Sequence, residues 1–191
     1  MEADDRALVR GLRARERASF DELYRRHHQR IWAFLVRLSG SRQEAEDMFQ
    51  ETWLAAARHA HELDPDGSPL CWLYAVARNK HRNARRWRLF DALRRAHAAA
   101  EPPEPAQLPD EIAAARDRVA ALAAAFPRLS DAHREVLLLC LVEGMETAAV
   151  ARILGLRAEA VRQRLCRARA ELARLLGRND ARPDALPGGL P

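Results

Sequence analysis

Side chains that can read the edges of DNA bases are concentrated in residues 157–167, RAEAVRQRLCR. Arginine and glutamine make paired hydrogen bonds to purines in the major groove, and arginine also binds phosphate as a planar fork. Arg162 and Gln163 are predicted to face bases, and Arg164 and Arg167 are predicted to reach phosphates. The candidate DNA contacts are Arg157, Glu159, Arg162, Gln163, Arg164 and Arg167.

These residues follow the spacing of a helix-turn-helix over residues 147–172. Ala151 is small enough to let two helices approach, Gly155 can adopt the left-handed turn, and Val161 fills the wedge between the helices. A short helix is predicted over 147–154, and a longer one from about Ala158. The alternative interpretation is a solvated, arginine-rich amphipathic helix, and the basic excess favours DNA binding.

A second basic segment, residues 74–95, places arginines beside aromatic residues. Rings can stack on unpaired bases while arginines hold the backbone, which suits single-stranded or melting DNA. The alternative is a core pair, Trp87 and Phe90, beside a solvated basic face. The candidate contacts are Arg78, Asn79, Lys80, Arg82, Asn83, Arg85, Arg86 and Trp87.

An acidic segment with the opposite character precedes it, EAEDMFQETW at residues 44–53. Phe49 and Trp53 are one helical turn apart and are predicted to be core residues. Asp47, Gln50 and Glu51 lie off that stripe and are predicted to be free for a basic protein partner, since DNA would repel the carboxylates. An exposed acidic helix face without a partner is the alternative.

The elements that must position these residues are predicted to be helices throughout. Apolar residues recur at helical spacing almost everywhere in the 191-residue chain, and strand signals are absent. Four prolines fall within residues 100–111, which no helix could cross. We therefore predict an all-α fold with two basic helical domains, at residues 1–97 and 116–178. An acidic linker at 98–115 joins them, and a disordered tail covers 179–191.

Composition argues against several other classes of protein. No apolar run is long enough to span a membrane, and the N-terminus lacks the layout of a signal peptide, so a cytosolic location is expected. Cys71, Cys140 and Cys166 lie far apart without the spacing of a zinc site. His59 and His61 with Cys71 could ligate a metal, but a solvated loop is favoured. No metal, cofactor or catalytic residue is predicted, because no catalytic constellation or phosphate-binding glycine loop is present.

Two segments resemble the extracytoplasmic-function (ECF) sigma factors of bacterial RNA polymerase. Residues 18–96, including FDELYRRHHQRIWAFLVRLSGSRQEAEDMFQETWLAAARH and WLYAVARNKHRNARRW, resemble their region two. Residues 119–176, including LSDAHREVLLLCLVEGMETAAVARILGLRAEAVRQRL, resemble region four. The resemblance implies a non-enzymatic protein that directs core polymerase to promoters. It further implies contacts with the β′ and β subunits, promoter DNA and an inhibitory anti-sigma factor.

The resemblance also implies a role for each segment. Asp47, Gln50 and Glu51 would dock on the β′ clamp helices, and the helix at about 78–88 would recognise and melt the minus-ten element. The loop near 61–71 would hold a flipped base, the helix-turn-helix would read the minus-thirty-five element, and the linker would thread the polymerase cleft.

Two departures from the family pattern affect the DNA-binding residues. Asn83 stands where the family usually has aspartate. The recognition helix begins Arg157-Ala158-Glu159-Ala160-Val161, where the family usually has Pro-x-Gly-(Thr/Ser)-Val. The helix therefore lacks a hydroxyl N-cap, which costs about 1 kcal/mol, and Glu159 brings a carboxylate toward DNA. Alternative functions are a helix-turn-helix regulator that binds DNA alone, a nucleic-acid enzyme and a helical scaffold.

Overall fold

The computed structural model describes residues 3–94 and 119–177, with side chains from residue 5 to 87 in the first range. The predicted linker at 98–115 and tail at 179–191 lie outside these ranges. Every regular element in the described ranges is helical, which confirms the predicted all-α class. Within residues 3–94 and 119–177, no helix is both long and apolar enough to cross a membrane.

Residues 3–94, the described part of the N-terminal half, contain four helices. They are α1 (Ala3–Arg13), α2 (Arg17–Ser39), α3 (Arg42–His59) and α4 (Pro69–Arg94), with a short 3-10 turn at Ala60–Glu62 before α4. Gly40 ends α2 with φ of 74°, and Ser41 then caps α3 by accepting a hydrogen bond from the Glu44 amide. This glycine turn followed by a hydroxyl cap fixes the direction of α3 against α2.

The apolar stripes of these helices meet in one core. Phe34, Leu35 and Leu38 of α2 are fully buried, as are Leu73 and Tyr74 of α4. An aromatic cluster continues the core at the surface, where Trp53 packs edge-on against Phe20, Tyr24 and Phe49. The prediction that Trp53 is a core residue is confirmed by its 7% exposure, whereas Phe49 is only half-buried.

Four further helices lie within residues 119–177. Helical residues 119–125 form α5, and α6 (Asp131–Leu137), α7 (Thr147–Leu154) and α8 (Ala158–Leu175) follow. A π-helical turn, Leu138–Val142, extends α6. Val119 and Leu122 on α5 are 66% and 43% exposed. The helical spacing of these apolar residues therefore predicts the helix correctly. It does not predict that their side chains are buried, because periodicity shows only which residues share a face of the helix.

The helix-turn-helix is formed by α7 and α8, with the boundaries that the sequence predicted. Gly155 sits between the two helices at φ of 66°, a conformation that glycine adopts without strain. Val161 and Ala168 of α8 are fully buried, and Leu165, Leu172 and Leu175 pack against the core. One side of α8 is thereby anchored, and its opposite side remains exposed.

The two halves pack directly against each other in this structure. Helix α4 contacts α7, and α2 contacts both α6 and the π-helical turn. Buried apolar side chains from both halves belong to one contiguous core cluster. The sequence predicted two separate basic domains and contained no signal for this packing.

Candidate polymerase-binding and promoter-binding surfaces

The acidic surface of α3, formed by Asp47, Gln50 and Glu51, lies on a helix whose other side is buried. Ala45 and Met48 are buried beneath it, and the Thr52 hydroxyl is satisfied by the Met48 carbonyl at 2.7 Å. Asp47 and Gln50 are exposed, as the sequence predicted. The acidic surface is therefore held in place by its own buried face.

Glu51 is also exposed, and it forms an ion pair within the chain. Its carboxylate accepts a hydrogen bond from Lys80 of α4 at 2.9 Å. This hydrogen bond, with the positive charge of Lys80, lowers the pKa of Glu51. The pair connects the acidic surface of α3 with the basic surface of α4, which the sequence treated as separate sites.

The predicted minus-ten residues divide between different faces of α4. The outer face consists of Asn79, Arg82, Asn83 and Arg86, which are all exposed and recur at helical spacing. Trp87, in the next position, is 70% exposed. The core alternative for Trp87 is therefore wrong, because its ring lies in solvent, where it can stack on another molecule.

Arg78 and Arg85 belong to an inner face of α4 that contacts the C-terminal half. Arg78 is 8% exposed. Its Nε donates to the Glu135 carboxylate at 2.8 Å, and its Nη1 donates to the Ile153 carbonyl at 3.4 Å. Arg85 donates to the Asp131 carboxylate. In this conformation both guanidinium groups therefore bind carboxylates of the C-terminal half, and Arg78 is buried whereas Arg85 stays exposed.

His81 lies on the same inner face and is 1% exposed. Burial, together with the positive charges of Arg134 and Arg85, lowers the pKa of His81 to about 4. Its Nδ1 has no hydrogen-bond partner in the described part of the chain. Protonating His81 in the packed structure would therefore place a third positive charge in a confined space.

Stability is expected to depend on pH through His81. The unfolded chain binds a proton near pH 6.5 and the folded chain only near pH 4. The free energy of unfolding should thus fall as pH drops through this range, by up to about 1.4 kcal/mol per pH unit. Urea denaturation at several pH values would measure the slope. His81→Gln should flatten it, and equal slopes in both proteins would contradict the assignment.

The recognition helix α8 exposes most of its predicted DNA contacts. Arg157, Glu159, Arg162, Gln163 and Arg167 are exposed, and Arg164 is half-buried. Arg157 occupies the N-cap position without a side-chain hydrogen bond, as expected from the missing hydroxyl. The Arg162 Nε donates to the Glu159 carboxylate at 3.1 Å. Glu159 therefore orients Arg162 within the exposed first turn.

Sequence reasoning missed one residue beside this helix, His133 of α6. It lines a cleft of about 200 Å³ together with Ala160, Gln163, Arg164 and Arg167. The His133 Nδ1 and a Glu171 carboxylate oxygen are 2.5 Å apart. His133 precedes the helix-turn-helix in sequence, so the spacing within the motif gave no signal for it.

The loop before α4 was predicted to hold a flipped base. Near its start, this loop is held against the N-terminal helices by Leu63. The Leu63 side chain is buried, and its carbonyl accepts a hydrogen bond from Arg13 at 2.6 Å. His59 is paired with Glu62 at 3.1 Å. Among the described residues, no group of three or more potential ligand side chains is arranged to hold a metal ion.

Comparison with known proteins identifies the family. The model of sigma-70 region 2 matches residues 23–88, and that of sigma-70 region 4 matches residues 120–172. The ECF RNA polymerase sigma factor SigL of Mycobacterium tuberculosis is 36% identical over 160 residues, 83% of this chain and 89% of SigL. The chain belongs to the ECF sigma factors. It therefore acts in promoter-specific initiation of transcription, rather than as a regulator that works without polymerase.

Other relatives extend over most of this sigma factor. The RNA polymerase sigma factor CnrH of Cupriavidus metallidurans is 31% identical over 182 residues, 90% of this chain and 94% of CnrH. A solved structure of CnrH with the cytosolic domain of CnrY superposes with a TM-score of 0.67 at 29% identity, covering 92% of this chain and 99% of that one. RpoE of Bartonella quintana, solved with the anti-sigma factor NepR, has the same fold, with a TM-score of 0.70 at 23% identity. This superposition covers 84% of this chain and 98% of the RpoE chain.

The matched regions contain the surfaces described above. Region 2 includes α3 and the inner and outer faces of α4, and region 4 includes the helix-turn-helix. The acidic surface, the basic outer face and the recognition helix of this sigma factor therefore all lie within the parts of the chain that define its family.

Proposed function

We propose that this sigma factor initiates transcription through three surfaces with separate tasks. Asp47, Gln50 and Glu51 on α3 bind the β′ clamp helices of core polymerase. The outer face of α4 binds the minus-ten element, and α8 binds the minus-thirty-five element, with further contacts to the β subunit. The observation that carries this proposal is the segregation of charge: α3 exposes carboxylates, whereas α4 and α8 expose arginines.

Electrostatics assigns the partners to these surfaces. DNA carries a dense negative charge, so arginine-rich faces attract it and a carboxylate surface repels it. The carboxylates of α3 require a basic protein partner, and complementary charge guides such an encounter. The chain itself performs no bond chemistry in this proposal, because the polymerase forms the RNA, and the sigma factor works in the cytoplasm with it.

An inhibitory partner is a further part of the proposal. The similar sigma factors RpoE and CnrH were solved in complex with an anti-sigma factor and with a cytosolic domain of CnrY. An anti-sigma factor for this chain would act by covering the surfaces that polymerase or DNA requires.

Transcription in vitro tests the proposed function directly. Core polymerase is combined with the purified chain on fragmented genomic DNA, and transcript start sites are mapped. Start sites that share sequence elements upstream, and that disappear without the chain, are the expected result. Binding to the same fragments without any defined start site would favour a regulator that does not direct polymerase.

Promoter melting should depend on the exposed end of the α4 outer face. Stacking of a base on an aromatic ring contributes about 1–3 kcal/mol, and truncating the exposed Trp87 opens no cavity. Trp87→Ala and Arg86→Ala should therefore reduce open-complex formation by about tenfold or more while core binding persists. Permanganate footprinting detects the unpaired thymines. Arg37→Ala, at an exposed arginine of α2, is the control; an unchanged footprint in the two α4 variants would contradict a melting role.

A further inference from the structure

The cleft between α6 and α8 lies beside the exposed front of the recognition helix. It is lined by His133 on one side and by Ala160, Gln163, Arg164 and Arg167 on the other. The residues of α8 recur about one helical turn apart, so they form one continuous wall. The volume of about 200 Å³ is smaller than the roughly 300–1,000 Å³ of sites that hold whole small molecules. The cleft therefore suits a small group that projects from a larger ligand.

The imidazole ring of His133 is held at this cleft by Glu171 of α8. The His133 Nδ1 and a Glu171 carboxylate oxygen are 2.5 Å apart, and the side chains are 22% and 31% exposed. An ionised carboxylate can only accept a hydrogen bond, so Nδ1 carries the hydrogen. Among the described residues, Nε2 of the same ring has no hydrogen-bond partner. Nε2 is therefore the ring atom that remains for a group from outside the chain.

The two arginines of the cleft also have no partner within residues 3–94 and 119–177. Neither Arg164 nor Arg167 forms an ion pair or a side-chain hydrogen bond there. Arg162 differs from them, because its guanidinium is paired with the carboxylate of Glu159. Two unpaired guanidinium groups and one available imidazole nitrogen thus border the same small space. This combination of donors suits an anion with several acceptor oxygens.

The position of the cleft identifies the anion. Backbone phosphates line both walls of the major groove, so the front of a helix in the groove meets base edges and its flank meets phosphates. His133 approaches α8 from the side, on a separate helix, beside two arginines that the sequence predicted to reach phosphates. A phosphate group of DNA therefore fits both the size and the charge of the cleft.

We propose that the cleft between α6 and α8 binds one backbone phosphate of the minus-thirty-five DNA, with His133 as a contact from outside the helix-turn-helix and Glu171 as its positioning residue. This proposal rests on the minus-thirty-five role of α8 proposed above. The protonated ring donates through Nε2 to a phosphate oxygen, alongside Arg164 and Arg167. The nearby phosphate favours the protonated form of the ring, while Glu171 holds its orientation through Nδ1.

A phosphate contact from His133 has a defined consequence for promoter binding. Contacts to the backbone fix the register of a protein on DNA and carry no direct sequence information. Loss of His133 should therefore weaken binding to every minus-thirty-five sequence in similar proportion and leave base preference unchanged. The effect should also depend on one phosphate, because the cleft has room for a single such group.

Replacement of individual phosphates tests this contact directly. Holoenzyme is bound to a promoter fragment found by start-site mapping, in which minus-thirty-five phosphates are exchanged one at a time for neutral methylphosphonate. Gel-shift titration measures each affinity. At one position, the exchange should weaken binding of the unchanged protein by about tenfold, and by about threefold less in His133→Leu. The leucine keeps the bulk of the side chain but removes both ring nitrogens.

Three further substitutions serve as controls. Arg128→Ala removes an exposed positive charge of region four outside the cleft, so it should show no coupling to that phosphate. Glu171→Ala should lose the coupling, whereas Glu171→Gln should keep it, because the amide oxygen still accepts from Nδ1. Thermal melts confirm that each variant is folded. If His133→Leu is unstable, His133→Gln, which is polar but uncharged, should show the same loss of coupling.

Each other result overturns the proposal. If His133 couples to no phosphate, or equally to all of them, the cleft does not bind a particular backbone group. Altered base preference in His133→Leu would place the ring against a base instead. Full coupling in Glu171→Ala would remove the positioning role of Glu171. Failure of the proposed function is recognised separately, because the unchanged chain would then give no defined start sites with core polymerase.

Discussion

Core polymerase should bind the Asp47→Arg variant at least about tenfold more weakly than the unchanged sigma factor, because like charges brought together at an interface cost several kcal/mol. Asp47 is exposed on α3, whose opposite side is buried, so the substitution reverses a surface charge without disturbing the core. Exposed substitutions change stability by only about ±0.5 kcal/mol, so the melting temperature should stay nearly constant.

A fluorescence titration with core polymerase and a thermal melt would be measured on the same samples. Asp21→Arg is the matched control, because Asp21 is an exposed aspartate of α2 outside the acidic surface of α3. It should leave affinity for core unchanged. Equal affinity of the Asp47→Arg variant and the unchanged protein, at native stability, would show that α3 is not the docking surface.

Substitutions on α8 should separate base recognition from phosphate contact. Gln163 is exposed beside Arg162, whose guanidinium is held by Glu159. Paired hydrogen bonds from such residues contribute about 1–3 kcal/mol of discrimination between bases. Gln163→Ala and Arg162→Ala should therefore relax the preference at one or two minus-thirty-five positions. Arg167→Ala should weaken every promoter in similar proportion and make the salt dependence shallower by about one unit of slope.

Transcription from a promoter library at two salt concentrations distinguishes these outcomes. The three variants serve as controls for one another, since all remove an exposed polar side chain from the same helix. A uniform loss of activity in Arg162→Ala and Gln163→Ala, with altered base preference in Arg167→Ala, would reverse the assignment of the two faces.

Local chemistry explains what the sequence predicted well. Gly155 and the apolar spacing of Val161 and Ala168 are properties of adjacent residues, and they place the turn and α8 where the structure has them. The burial of Trp53 follows in the same way from the spacing of α3. Such features depend on contacts within one helix or with its neighbour in sequence, so a pattern in the residues indicates them.

The inner face of α4 could not be predicted in the same way. Arg78 and Glu135 are 57 residues apart, and their ion pair depends on how regions two and four pack. Arginine spacing shows that Arg78 and Arg85 share a side of α4, but the identity of the group that covers this side depends on tertiary structure. The exposure of Trp87 also depends on packing, because an aromatic residue in a helix suits a core and a binding surface equally.

The side-chain amine of Lys80, which is paired with Glu51, can be labelled selectively with amine-reactive reagents. Lys80 is the only lysine in the sequence, and its amine is hydrogen-bonded to the surface assigned to polymerase while its own helix carries the surface assigned to DNA. Apart from the N-terminal amine, Lys80 is therefore the single natural site at which amine labelling can follow the junction between the two surfaces.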